Sequence, residues 1–216
     1  MNNKNKIILD LCGGTGAWSK PYRDAGYDVH VLTLPDYDVT KNGYSKRDLH
    51  IYHDGWHHAY PFSEIHGILA APPCTEFSIA KGAMYRDFEG AMEVVRACMD
   101  IIWHCRTYGH VKFWAMENPR GFLRQFMGKP AFTFEQWQFG TAAVKTTDIW
   151  GYFNTPKPTV KVRPERITTG IGHRANGRDW AKLVAPDEYK HLNLDRAAIR
   201  AITPAGFAEA FFKANK

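Results

Sequence analysis

Apolar residues in this chain gather in short runs, and most runs stop at glycine or proline. Ile7 to Cys12 reads as a buried strand, followed by Gly13-Gly14-Thr15-Gly16 and a helix expected over Trp18–Ala25. Tyr27 to Leu34 alternates as a second strand, and Leu49 to Asp54 predicts a third, ending at the same sheet edge. Ile68 to Ala71 is a further strand, stopped by Pro72-Pro73, because proline has no N–H for a ladder and fixes φ. Glu76 to Asp87 predicts a mobile loop. In Phe88–Cys105 the apolar residues Ala91, Met92, Val94, Val95, Cys98, Met99, Ile101 and Ile102 recur at three- and four-residue spacing, the mark of an amphipathic helix, with Gly109 as its stop. Val111–Met116 predicts another strand, which Glu117-Asn118-Pro119 ends. Phe134–Phe153 reads as an aromatic-rich strand pair, and Ala198–Pro204 as a turn into a helix over Ala205–Ala214. A strand, a glycine turn and a helix, then more strands and helices in alternation, imply an α/β fold.

The 216 residues suffice for one full-sized domain. No apolar run reaches about 18 residues and the first six residues are polar, so the expectation is a cytoplasmic protein without membrane contact. Four cysteines without a Cys-x-x-Cys pair do not make a disulfide scaffold or a zinc site. His50, His53, His57 and His58 lack a cysteine or clear carboxylate partner at ligand spacing, so no metal is expected. Charge changes the picture more. Residues 1–140 hold 15 Lys+Arg and 15 Asp+Glu, whereas residues 141–216 hold 13 against 7, so the whole net charge of +6 lies in the last third. Thr155–Arg178, rich in Pro, Gly and Thr, carries Arg163, Arg166, Arg174 and Arg178. It is either a contact for a polyanion or a solvated basic face.

Two reactive groups stand at strand ends. Cys74 follows Pro72-Pro73, and Glu117 precedes Asn118-Pro119; in open α/β sheets ligands sit at the carboxyl ends of strands. Cys98 and Cys105 lie on the helix's apolar face and read as core. The glycine loop lacks the third glycine of a dinucleotide fingerprint, since Gly14-Thr15-Gly16 is followed by Ala17, Trp18 and Ser19.

Pro72-Pro73-Cys74 with Phe77-Ser78 resembles the Pro-Cys motif of cytosine-C5 DNA methyltransferases. Three more landmarks follow that family's order: Asp10 to Gly16, Glu117-Asn118 and Thr203-Pro204. Lys145-Thr146-Thr147-Asp148-Ile149-Trp150-Gly151 is similar to small phage-type members, in place of the usual Gln-x-Arg-x-Arg. The resemblance implies a Rossmann-like class I S-adenosylmethionine-dependent methyltransferase fold, a mostly parallel sheet with helices on both faces. It implies a single domain over 1–216, with a short basic insertion at about 155–195 instead of a target-recognition domain.

The same resemblance implies catalytic roles for Cys74 and Glu117 and no metal. S-adenosylmethionine would meet Asp10, Leu11, Cys12, Gly13, Gly14, Thr15, Gly16, Leu34, Asp54, Pro72 and Thr203. Leu34 stands where the family has a ribose-binding carboxylate, and Asp36 and Thr33 are the substitutes. Substrate contacts fall to Pro73, Ser78, Asn118, Lys145, Arg163, Arg166, Arg174 and Arg178. The implied partner is DNA with the target cytosine flipped out; the same reaction on RNA, or a catalytically reduced nucleic-acid-binding relative, are the alternatives. The strand pair at Phe134–Phe153 either flanks a base pocket or forms a core hairpin.

Overall fold

The computed structural model describes residues 3–53, 55–141, 143–163 and 185–216. Asp54, Arg166, Arg174 and Arg178, all expected to bind cofactor or substrate, lie outside the described residues.

Nine strands form two sheets among the described residues: β1 Ile7–Leu11, β2 Asp28–Leu32, β3 Asn42–Tyr44, β4 Asp48–His53, β5 Trp56–Pro61, β6 Ile65–Ala70, β7 Phe113–Pro119, β8 Phe132–Glu135 and β9 Thr146–Tyr152. The main sheet runs β2-β1-β6-β7-β9-β8. Its first four strands are parallel; β9 is antiparallel to β7 and to β8. Strand order reverses at β1, whose neighbours are β2 on one side and β6 on the other. The crevice between the carboxyl ends of β1 and β6 is therefore the switch point where such sheets take ligands.

The α-helices among the described residues are α1 Lys20–Asp24, α2 Phe88–Tyr108, α3 Leu123–Met127, α4 Arg196–Ala201 and α5 Ala205–Ala214, and together they cover both faces of the main sheet. β1 is fully buried, and its alternate residues serve opposite layers. Ile7, Leu9 and Leu11 join the core under helix α2, Phe88–Tyr108, which contributes Val95, Cys98, Ile101, Ile102 and Cys105. Ile8 joins the other core, with Tyr22 of α1 (Lys20–Asp24) and Phe207 and Phe211 of α5 (Ala205–Ala214). Burying each such large side chain contributes about 1.5–3 kcal/mol. This mostly parallel sheet, with one reversed strand inside its edge and helices on both faces, is a Rossmann-like α/β fold.

Several sequence expectations need correcting. The strand ending at His53 does not lie at the main sheet's edge beside β2; it is the middle of the separate antiparallel sheet β3-β4-β5. Its partner β5 escaped notice because Trp-His-His-Ala-Tyr-Pro has no apolar run. The polar segment from Asp36 to Asp48 holds β3 as well. Glu117-Asn118-Pro119 does not end β7 but forms its last three residues, paired with Ile149, Asp148 and Thr147 of β9. β6 ends opposite Met116, so that side of Pro119 faces no ladder and its missing N–H is tolerated.

Helix α1 is shorter than the expected Trp18–Ala25, and Trp18 packs on Phe207 and Phe211 instead. Gly109 does stop α2, yet in an extended conformation at φ −123°. A Cβ there would stand 2.3 Å from the Phe62 carbonyl oxygen, so close approach, not a left-handed turn, selects glycine.

Candidate functional site

The glycine loop turns sharply off β1. Cys12, Gly14 and Gly16 have φ of +56°, +55° and +69°. A non-glycine residue held there is uncommon and strained, as is typical of functional loops. Asp10 lies fully buried beneath the loop: its Oδ2 accepts the Ser19 hydroxyl at 2.6 Å, and its Oδ1 has no partner among the described residues. Burial pushes its carboxyl up to about 6, against the opposing pull of Ser19 and Arg23. A Cβ on Gly13 would come within 2.3 Å of the Asp10 Cγ, so only glycine lets the backbone lie on that carboxylate. Nothing stands within 4 Å of the place a Cβ on Gly14 would take.

An orphaned buried acceptor under an uncovered glycine turn fits the cationic amino-acid end of S-adenosylmethionine. Leu11 is fully buried and offers only backbone. Cys12 turns its thiol inward to Cys98, whose own thiol is held well above its ordinary value by Cys12 and by burial. Leu34 is 71% exposed beyond β2, Thr203 is half-buried between helices, and Pro72 is buried.

At the carboxyl end of β6 the chain passes Pro72-Pro73 and folds around Cys74, whose carbonyl accepts Phe77 N–H at 3.0 Å and Ser78 N–H at 2.8 Å. Asn118 on β7 is fully buried and donates its amide to the Pro72 carbonyl at 3.0 Å, which ties the Cys74 loop to the strand carrying Glu117. Its Oδ1 has no partner among the described residues. Burial, and after it Glu117, push the Cys74 thiol up, while Lys145 and Arg200 pull it down. Glu117 is itself raised, by burial first, with Lys145 opposing and Asp148 adding to the rise. Cys74, Glu117 and Lys145 thus form one electrostatic cluster, although they come from three separate segments.

An open cavity of about 310 Å³ lies over this cluster, lined among others by Cys74, Ser78, Lys81, Arg120, Lys145 and Arg200. Helix α4, Arg196–Ala201, forms one wall, and Lys145 Nζ donates to the Arg200 carbonyl at 3.2 Å. In the strand pair β8-β9, Phe134 and Ile149 are core, while the segment entering β9 brings Lys145 to the cavity. Pro73 is exposed and lies outside the lining, and Arg163 is exposed on an irregular segment.

Sequence reading missed Lys81, Arg120 and Arg200 as cavity residues. Arg120 lies two positions past Asn118 and could have been found there; nothing local marks Arg200. Among the described residues no three His, Cys, Asp or Glu side chains converge as a metal site requires, and no helix is long and apolar enough to cross a membrane.

No protein-family model matches the sequence, and no curated protein is significantly similar to it. Among solved structures the chain is similar to a protein described as a candidate DNA modification methyltransferase encoded within a prophage (E. coli), at 15% identity and a TM-score of 0.43. That match covers 68% of this chain and 46% of the other, so the chain spans less than half that protein's length. The fold assignment rests on strand order, direction and layering.

Proposed function

We propose that this protein transfers a methyl group from S-adenosylmethionine to C5 of cytosine in DNA, with Cys74 as nucleophile and Glu117 as its acid partner. The observation that carries the reading is that Cys74 and Lys145 line one cavity at the carboxyl edge of a mostly parallel sheet, with Glu117 close enough to act electrostatically on Cys74 and to feel Lys145. Asp10 and Gly13 to Gly16 are the residues that would hold the cofactor.

The chemistry follows from the groups. Cytosine C5 is a weak nucleophile until something adds at C6, and a thiolate is the soft nucleophile for that addition. Cys74 sulfur bonds to C6, and the C5–C6 π pair moves toward C5 and N3. Glu117, whose carboxyl is raised by burial, gives its proton to N3 and relieves the charge. S-adenosylmethionine, when bound, supplies the electrophilic methyl group that C5 takes. Transfer of the C5 proton to a solvent water then re-forms the C5–C6 double bond and expels Cys74 as thiolate, and Glu117 recovers the N3 proton. The neighbouring Lys145 ammonium favours the thiolate throughout, since it already pulls the thiol down.

A base within a duplex cannot reach a largely buried thiol, so the cytosine must leave the stack, at a cost of a few kcal/mol. The cationic rim, and the positive excess confined to residues 141–216, supply phosphate contacts against that cost.

The test uses wild type and Cys74→Ser with cofactor and duplex DNA containing 5-fluorocytosine, which traps the covalent stage. A stable adduct in wild type only, and 5-methylcytosine in ordinary DNA, are expected. Equal trapping by both proteins would overturn the nucleophile, and 5-methylcytosine in RNA alone would overturn the substrate.

A further inference from the structure

The segment after Cys74 contains a polar clamp that the reaction above does not use. From Ile79 to Asp87 no side chain is buried, and the tip carries Met84 and Tyr85, 69% and 88% exposed. A loop with no apolar anchor of its own is expected to sample many conformations. Here Arg86 gathers it. Its Nη1 donates to the carbonyls of Glu76 at 2.6 Å and Ser78 at 3.0 Å, and its Nη2 to that of Gly82 at 3.0 Å. Glu76 closes the other side: its carboxylate pairs with Lys81 and accepts the Asp87 N–H at 2.9 Å. The loop expected to be mobile is therefore stitched at both ends.

The clamp also reaches the acid strand. The Arg86 guanidinium lies 4.6 Å over the ring of Phe122, in the turn that follows β7. That turn is held to the nucleophile loop by Phe122 N–H donating to the Phe77 carbonyl at 2.8 Å and by a bridge between Ser78 and Gly121. Phe77 and Ser78 in turn donate to the Cys74 carbonyl, so two short steps connect Arg86 to the nucleophile's backbone.

We propose that Arg86 is a positioning residue: it fixes Thr75–Asp87 as a preformed wall of the substrate cavity, holds Cys74 at its outlet from the sheet, and couples that wall to the turn after Glu117. Its role in turnover rests on the reaction proposed above; its role in ordering the loop does not. Arginine is required because one planar fork spans three carbonyls, which a lysine ammonium cannot do in fixed geometry.

The test compares wild type with Arg86→Lys and Arg86→Met, the latter keeping an apolar stem over Phe122. Amide exchange across 75–87 is expected to accelerate by about tenfold or more for each charge-assisted bond removed. Alkylation of Cys74 by iodoacetamide, followed by mass spectrometry, is expected to accelerate with it. Turnover is expected to fall on the order of 100-fold, as for a nucleophile displaced by about 1 Å. The calorimetric Kd for S-adenosylmethionine is expected to stay unchanged, which also verifies folding. Unchanged exchange and alkylation in both variants would overturn the clamp, and a loosened loop with unchanged turnover would overturn the positioning role. Absence of methyl transfer in wild type would instead sink the proposed reaction, while exchange and alkylation still read the clamp.

Discussion

Asp10→Asn is expected to stabilise the free protein at neutral pH while weakening its cofactor site. Burial raises the Asp10 carboxyl from 3.8 to about 6, so the folded state holds this proton more tightly than the unfolded chain does. The stability this group contributes is complete below about pH 3.8 and is lost as pH rises through about 6. Two pKa units correspond to about 3 kcal/mol, which is the penalty for burying the charge at pH 7.5; about half of it is present at pH 5. Asparagine has nearly the same shape, keeps an acceptor for the Ser19 hydroxyl, and carries no charge to bury. The variant is therefore expected to gain up to about 3 kcal/mol at pH 7.5 and roughly half that at pH 5. Urea unfolding of both proteins at the two pH values measures the difference. Affinity for S-adenosylmethionine is expected to fall by about 10- to 100-fold, as for the loss of one charged hydrogen bond. An Asn variant no more stable than wild type at pH 7.5, or a difference that does not change with pH, would refute the reasoning.

Three further perturbations test separate parts of the structure. Gly121→Ala places a Cβ 2.2 Å from the Phe77 carbonyl oxygen, and is expected to cost about 1–3 kcal/mol in urea unfolding and to loosen the Ser78 bridge, seen as faster amide exchange there. Arg124→Met removes the guanidinium whose Nε donates to the fully buried Asp148 at 2.6 Å, leaving an uncompensated charge; a loss of about 3–5 kcal/mol in urea unfolding is expected, and Arg124→Met with Asp148→Leu is expected to recover part of it. Neutralising Arg163, Arg166, Arg174 and Arg178 together is expected to lower DNA affinity and reduce the log–log salt slope by about 0.9 for each phosphate the protein no longer neutralises, with cofactor affinity unchanged; an unaltered slope would leave the stretch a solvated face.

What the sequence determined by itself lies in short segments whose pattern is local. The buried strand that carries Asp10, the glycine turn, the proline exit before Cys74 and the 3.6-residue periodicity read over Phe88–Cys105 depend on neighbours a few residues apart. Such features read directly from composition and spacing. Cys74 and Glu117, the two side chains proposed to react, drew attention by a signal of the same local kind: each stands at the end of an apolar run, within two residues of a proline.

Tertiary structure decided everything that depends on which segments become neighbours. Asp48–His53 has the pattern of any half-buried strand, and only its pairing with Trp56–Pro61 removes it from the main sheet. Pro119 argues against a strand until the shorter β6 leaves that side of β7 unpaired. Lys145 and Arg200 are 55 residues apart, and no local pattern announces that Lys145 donates to the Arg200 carbonyl beside Cys74. The Arg86 clamp escaped notice because its partners are backbone carbonyls, which every residue possesses and no sequence distinguishes. Local physics writes periodicity and punctuation into the chain, whereas long-range pairing, and the electric field it assembles around a thiol, exist only once the chain has folded.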